Sequence, residues 1–261
     1  MEFHDLLGGL GAGLAGGLTS GLLGVSPGGG LVVFAVLLLG AEQHVAQGIS
    51  LVAQIPPTGM TGIRRYWEEG SRSPLRWLVL LAIGFVAGGI LGAYAASLAS
   101  GSALRWTYVA YLAMLDGLLI ARGAKKAGRP DQNGSAKDLH WAALLGVGIV
   151  AGLSSGFLGI GGGLATVVGL SAVLGVPQHQ AQMISLVLSM IPTTIPSAWV
   201  YWNQGWSWSW SVLLGVVVGL IIGTDLGARF ANRIDRSRLR LTLIFFVSLM
   251  AIYMAYKALS H

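Results

Sequence analysis

Long uninterrupted runs of apolar residues alternate with short polar connections along this chain. Several runs approach the roughly 20 residues that a helix needs to cross a bilayer. A membrane-spanning barrel would instead show short strands of alternating polarity. The pattern therefore predicts an all-α, polytopic membrane protein. In each half it predicts a Gly-rich helix, a short segment, a longer helix and two ordinary helices: 6–24, 31–40, 43–63, 75–97 and 105–121, then 140–158, 164–175, 178–200, 211–228 and 239–257.

Composition supports the membrane interpretation. Of the 261 residues, 54% are hydrophobic and 10% are charged, whereas soluble domains carry about 25% charged residues. The sequence has no cysteine, which excludes disulfides and thiolate metal sites. The N-terminal stretch MEFHDLLGGLGAG lacks the basic region of a cleaved signal peptide. We expect no cofactor.

The basic residues are confined almost entirely to three connections. These are 64–76, 122–137 and 229–240, whereas the connections 97–104 and 201–211 carry no charge. Because positively charged loops stay in the cytoplasm, the three basic connections are predicted to be cytoplasmic and the two neutral ones external. This distribution accounts for the net charge of +6 without nucleic-acid binding. It predicts a multi-pass membrane protein with both termini external.

The chain also contains an internal repeat. Shifting it by 135 residues superposes 17–70 on 152–205, and 24 of the 54 positions are then identical. The same shift superposes the basic connection of each half on a neutral connection of the other half. Equivalent connections therefore lie on opposite sides of the membrane, and the halves are predicted to be inverted relative to each other. Such inverted-topology repeats are typical of secondary transporters. The predicted organisation is a first repeat over 1–122, a cytoplasmic linker over 123–138 and a second repeat over 139–261.

Glycine runs interrupt both halves before the short segments. GLLGVSPGGG occupies 21–30 and GFLGIGGG occupies 156–163. Each run exposes backbone N–H groups next to a new helix start, and helix N-termini attract anions. The alternative is close helix packing, which small residues permit. If the runs bind an anion, Gly163→Ala is expected to be more harmful than Gly13→Ala. The candidate anion-binding glycines are Gly28, Gly29, Gly161, Gly162 and Gly163.

Paired polar residues follow each glycine run, in QHVAQGIS (43–50) and QHQAQMIS (178–185). Within each stretch they recur every three residues, so they share one face of a helix. They are candidates to bind an oxyanion, and a histidine can also carry a proton. Interhelical hydrogen bonding is the alternative role. The candidates are His44, Gln47, Ser50, His179, Gln182 and Ser185, with Pro57 and Pro192 as possible hinges.

These motifs resemble the sulfite exporter TauE/SafE family of membrane anion permeases. The resemblance rests on the duplicated glycine and QH stretches and on the paired segments GIRRYWEEG and AWVYWNQG, and it spans essentially the whole chain. It implies secondary transport of sulfite, sulfonates, sulfoacetate or thiosulfate across the bacterial inner membrane. Ser26-Pro27 stands where the second half has Gly161-Gly162, which is a departure from equal halves.

Two other functions fit part of the pattern. Glycine-rich inverted repeats also build channels, and saturable, gradient-coupled flux separates a carrier from a channel. GLSSG (152–156) followed by His179 superficially matches the dyad of an intramembrane serine protease. The first half repeats this arrangement, however, and a catalytic dyad is needed only once, so we expect no enzyme. The expected partners are a small anion, the lipid bilayer and protons, while the sequence leaves homo-oligomerisation open.

Overall fold

The computed structural model describes residues 2–23, 26–56, 74–124, 139–176, 178–205, 208–233 and 236–259. Within these residues the chain forms eleven helices and no strand. In chain order they are α1 (Glu2–Leu23), α2 (Gly28–Leu38), α3 (Gln43–Ala53), α4 (Leu75–Leu98), α5 (Gly101–Ala124), α6 (Trp141–Leu158), α7 (Gly163–Val168), α8 (Gln178–Met190), α9 (Ile195–Asn203), α10 (Trp210–Arg233) and α11 (Arg236–Leu259).

Three of the described helices are long and apolar enough to cross a bilayer. They are α4, α6 and the Trp210–Gly227 part of α10. Large apolar side chains on the outside of the bundle, such as Leu91, Leu214 and Phe245, are more than half exposed. Such surfaces are unfavourable in water and favourable against lipid. The all-α membrane fold expected from the sequence is confirmed.

The 135-residue repeat extends to the ends of the helices and to their packing. Shifted by 135, α4 covers the residues of α10 and α5 covers those of α11. In the first half Gly88 of α4 lies against the backbone of Ile149 in α6. At the equivalent positions, Gly223 of α10 lies against the backbone of Leu14 in α1. Each half therefore contributes one helix to each of two equivalent, glycine-lined helix pairs.

Helix directions follow from the same contacts. Gly9, Gly13 and Gly17 of α1 face successively later residues of α10, so these two helices run parallel. By contrast, α5 and α11, which are counterparts in the repeat, run antiparallel. The Arg105 guanidinium donates to the Lys257 carbonyl at 3.2 Å, while Asp116 accepts from Ser248 further along the pair. Antiparallel counterparts are what inverted repeats require.

The two short segments are helical, as expected, but begin slightly earlier than 31–40 and 164–175. The first is α2, and the second is α7, which continues as one π-helical turn over Gly169–Val173. Because Gly16 lies against Leu31 and Gly11 against Leu38, α2 runs back along α1. Its 11 residues span about 16 Å at 1.5 Å per residue, which is half of the hydrocarbon thickness.

The prediction of continuous helices over 43–63 and 178–200 is wrong. α3 already ends at Ala53, and the second segment divides into α8 and α9 around a turn at 191–194. Proline is the physical reason, because it lacks an N–H group and disfavours helical geometry in the preceding residue. Pro56 follows the end of α3 and Pro192 lies in the turn. Pro57 and residues 125–138 of the expected linker lie outside the described residues, and α5 extends to Ala124.

The structure also corrects the choice of Gly13 as a tolerant position. A Cβ atom at Gly13 would overlap the Val216 carbonyl oxygen and lie 2.9 Å from the Leu220 nitrogen. Gly13 therefore permits backbone-to-backbone packing of α1 on α10. Gly146 of α6 is the appropriate control, since a Cβ atom there meets nothing within 4 Å.

Candidate functional site

The two glycine runs, far apart in sequence, lie against each other. We call residues 26–30 the first break and residues 159–163 the second break. A Cβ atom at Gly28 would lie 2.5 Å from the Ile160 carbonyl carbon and 2.6 Å from the Gly159 oxygen. A Cβ atom at Gly163 would lie 2.9 Å from that of Ser26. The starts of α2 and α7 therefore meet, which only residues without side chains permit at this distance.

The backbone conformations of the breaks differ. Gly159, Gly161 and Gly162 have φ angles of 71°, 78° and 61°, in the left-handed region that favours glycine. Pro27, the counterpart of Gly162, has φ −69° and ψ −16°, which is right-handed helical geometry. The departure of Ser26-Pro27 from Gly161-Gly162 thus has a direct structural consequence.

Side chains from three helices donate to three of the carbonyl groups of the second break. Ser50 of α3 donates to the Gly159 oxygen at 2.7 Å. Ser185 of α8 donates to the Gly163 oxygen at 3.1 Å, and Thr166 of α7 donates to the Gly162 oxygen at 3.0 Å. Within a membrane an unsatisfied carbonyl is costly, so irregular backbone requires such partners.

Gln54 connects the two breaks. Its Oε1 atom accepts from the Ser26 hydroxyl at 2.6 Å, and its Nε2 atom donates to the Ser50 carbonyl at 2.9 Å. The same Nε2 lies 3.4 Å from the Gly159 oxygen. Sequence reasoning missed Gln54, although its spacing of four residues from Ser50 places it on the same helical face. Its repeat counterpart is Ser189, so the duplication did not point to it.

These contacts bear on the role expected for the two serines. A hydroxyl group has one proton to donate, and in both serines that proton goes to a backbone carbonyl. In this conformation Ser50 and Ser185 therefore position the second break. Their direct binding of an anion stays a prediction.

A cavity lies beside the second break. Gly161 and Gly163 form part of its wall, and Phe85 and Leu188 contribute apolar surface. The lining has no charged side chain among the described residues. The Thr194 hydroxyl is buried there and has no hydrogen-bond partner among the described residues. The polar side chains of the lining are Gln54, Thr166, Ser185, Ser189, Thr193 and Thr194.

Both helix starts at the breaks lack a side-chain cap. Neither Pro27 at the start of α2 nor Gly162 at the start of α7 provides one. The first N–H groups of a helix have no partner within it and carry partial positive charge. The second break therefore brings uncapped backbone donors to an uncharged cavity, and the first break lies against the second.

The other expected site residues lie elsewhere or beyond description. His44 Nε2 lies 3.1 Å from the Ala96 carbonyl, and Gln47 Oε1 accepts from Tyr201 at 2.8 Å. The Gly29 carbonyl accepts from the Tyr108 hydroxyl. None of these three expected residues lines the cavity. His179 and Gln182 are in α8, but their side chains lie outside the described part, and Pro192 lies in the turn that leads to Thr193 and Thr194.

Comparison with known proteins agrees with this architecture. The family model described as Sulfite exporter TauE/SafE matches residues 9–254. A protein of Xylella fastidiosa (strain 9a5c), described as "Probable membrane transporter protein", is 30% identical over 171 residues. That alignment covers 64% of this chain and 64% of the relative's length. The match of the family model over most of the chain identifies it as a membrane protein of the sulfite exporter TauE/SafE family of transporters.

Proposed function

We propose that this chain is a secondary transporter that moves small sulfur-containing anions, such as sulfite, sulfonates, sulfoacetate or thiosulfate, across the inner membrane. The observation that carries the proposal is the cavity beside the second break, which Gln54 of the first half also lines. It offers hydroxyl and amide groups, including an unpartnered buried hydroxyl on Thr194, and no charged side chain among the described residues.

An uncharged site suits a transported anion. Backbone N–H groups at the starts of α2 and α7 supply partial positive charge without a buried lysine or arginine. A full cation would bind an anion strongly and slow its release, whereas conduction and transport require that the substrate also leave. Thr194 adds a neutral donor that has no hydrogen-bond partner among the described residues, so its removal breaks none of the hydrogen bonds described above.

The repeat architecture supports alternating access. The equivalent pairs α1–α10 and α4–α6 each combine one helix from each half, and the first break lies against the second, which lines the cavity. Movement of one pair relative to the other would expose the cavity to opposite sides of the membrane in turn. We propose that the halves are inverted, that both termini are external, and that the proton gradient drives the cycle.

A flux assay tests the proposal. Purified protein in liposomes is supplied with sulfite, thiosulfate, sulfoacetate or a carboxylate of similar size, with and without a pH gradient. We expect saturable uptake of at least one sulfur anion that the pH gradient accelerates. Flux that rises linearly with concentration would instead indicate a channel, and absence of flux for every sulfur anion would contradict the substrate class.

A further inference from the structure

Helix α3 carries a row of buried polar side chains. Gln43, Gln47, Ser50 and Gln54 recur at intervals of four, three and four residues, so they lie along one side of the helix. All four are at least 93% buried. Ser50 and Gln54 contact the second break, while Gln47 and Gln43 continue the row away from the cavity. We call these four residues the polar stripe.

The part of the polar stripe beyond the cavity is poorly satisfied. Both amide atoms of Gln43 and the Nε2 atom of Gln47 are buried without a hydrogen-bond partner among the described residues. Ser155 of α6 and Ser197 of α9 have hydroxyl groups in the same condition. Each buried polar group without a partner destabilises this conformation. These five atoms form a buried polar surface that gains hydrogen bonds if the region opens to water or to a polar ligand.

Tyr201 closes this region in the present conformation. It is fully buried, and its hydroxyl lies 2.8 Å from Gln47 Oε1 and 2.9 Å from the Gly156 carbonyl oxygen. It therefore links α9 to both α3 and α6. On the same helix, Ser197 precedes Tyr201 by four residues and shares its face.

The stripe also has a direction. His44, next to Gln43, contacts the carbonyl of Ala96 in the last turn of α4. That end of α4 leads into the neutral connection 97–104, which the charge distribution predicts to be external. The polar stripe thus extends from the cavity towards the predicted external surface.

We propose that the polar stripe is the external half of the pathway for water and anion, and that Tyr201 is the gate that closes it. The proposal rests on the transport function proposed above. When Tyr201 releases Gln47 and Gly156, the unpartnered amides and hydroxyls become hydrated and offer donors to an anion passing to the cavity.

Thiol labelling tests this pathway, because the chain has no cysteine of its own. Gln43→Cys is placed on the stripe, and Ala46→Cys serves as a matched control. Ala46 is equally buried but packs in an apolar cluster with Val36 and Tyr108. A membrane-impermeant anionic methanethiosulfonate is added to intact cells. We expect it to label Gln43→Cys at least tenfold faster than Ala46→Cys.

The gate itself is tested at Ser50→Cys, which lies on the cavity side of Gln47. Adding Tyr201→Phe to Ser50→Cys removes the hydroxyl that holds the gate and should raise the labelling rate roughly tenfold. If the Tyr201→Phe protein does not elute as folded protein, Gln47→Leu is used in its place. This change removes the acceptor of the Tyr201 hydroxyl instead of the hydroxyl itself. Equal labelling of Gln43→Cys and Ala46→Cys would overturn the pathway. An unchanged rate in the folded gate variants would overturn the role of Tyr201. If labelling is as expected but no sulfur anion is transported, the pathway is supported and only the proposed substrate class is contradicted.

Discussion

The two glycine breaks occupy equivalent positions in the repeat but are built differently. The first enters α2 through Pro27 in right-handed geometry, whereas the second enters α7 through Gly161 and Gly162 in left-handed geometry. The side chains that satisfy the second break come from both halves: Ser50 from α3, Gln54 directly after α3, and Ser185 from α8. The duplication therefore preserves the arrangement of helices, while the polar contacts at the centre have become specific to each half.

The largest effect concerns the orientation of the halves. Reporter tags inserted at positions 131 and 235 should report cytoplasm, and tags at 101, 205 and the C-terminus should report the outside, because the basic connections stay inside. The measurement is the activity of side-specific reporter fusions. Positions 131 and 205 on the same side of the membrane would contradict inverted repeats and remove the basis for comparing the breaks as equivalents.

The second-largest effect is expected from exchanging residues between equivalent positions of the two breaks. Gly162→Pro should prevent folding, because proline fixes φ near −65° and Gly162 requires 61°. Pro27→Gly should cost only about 0.4–1 kcal/mol, since glycine adopts the same right-handed geometry with a larger loss of chain entropy. Both variants are compared with the wild-type protein by their yield of monodisperse protein in detergent and by thermal unfolding. Equal yields of the two variants would mean that the left-handed geometry of the second break is dispensable.

A smaller difference is expected between Gln54 and its counterpart Ser189. Gln54→Ala removes the hydrogen bonds to Ser26 and Ser50 and should destabilise the protein by about 1–3 kcal/mol. Ser189 donates to the Leu186 carbonyl within its own helix, so Ser189→Ala should change stability by less than about 0.5 kcal/mol. Thermal unfolding of the two variants is the test. A similar loss in both would show that Gln54 does not connect the halves.

The helical membrane fold and the short helices were predictable from the sequence. Lipid requires every backbone group to be satisfied within the protein, so apolar runs of membrane-spanning length leave few alternatives to helices. The repeat also pointed to Gly28 and Gly163, because duplicated glycines next to helix starts are a strong local signal. The resemblance to the TauE/SafE family was drawn from these same stretches, and the match of the family model over residues 9–254 confirms it.

The central polar contacts were not predictable in the same way. Gln54 and Tyr201 make hydrogen bonds across the interface between the halves, and Thr194 lines the cavity beside the second break. Which residues meet there depends on tertiary packing. The duplicate of Gln54 is a serine, so searching for paired residues excluded it. The helix ends near Pro56 and Pro192 were misplaced because a proline can either kink a helix or end it, and the choice depends on the surroundings.

The central claim is that the anion binds in the cavity beside the second break, and Thr194→Val tests it most directly. The change keeps the shape of the side chain and removes a hydroxyl that has no partner among the described residues. Thr224→Val in α10 is the matched control, since the Thr224 hydroxyl is also buried without a described partner but does not line the cavity.

The quantity measured is the half-saturating concentration of whichever of sulfite, thiosulfate and sulfoacetate the wild-type protein transports in liposomes. A hydrogen bond to a charged group is worth about 1.5–3 kcal/mol, so Thr194→Val should raise this concentration roughly tenfold or more, with stability unchanged or improved. Thr224→Val should leave it unchanged. An unaltered half-saturating concentration in well-folded Thr194→Val protein would contradict binding of the anion in this cavity.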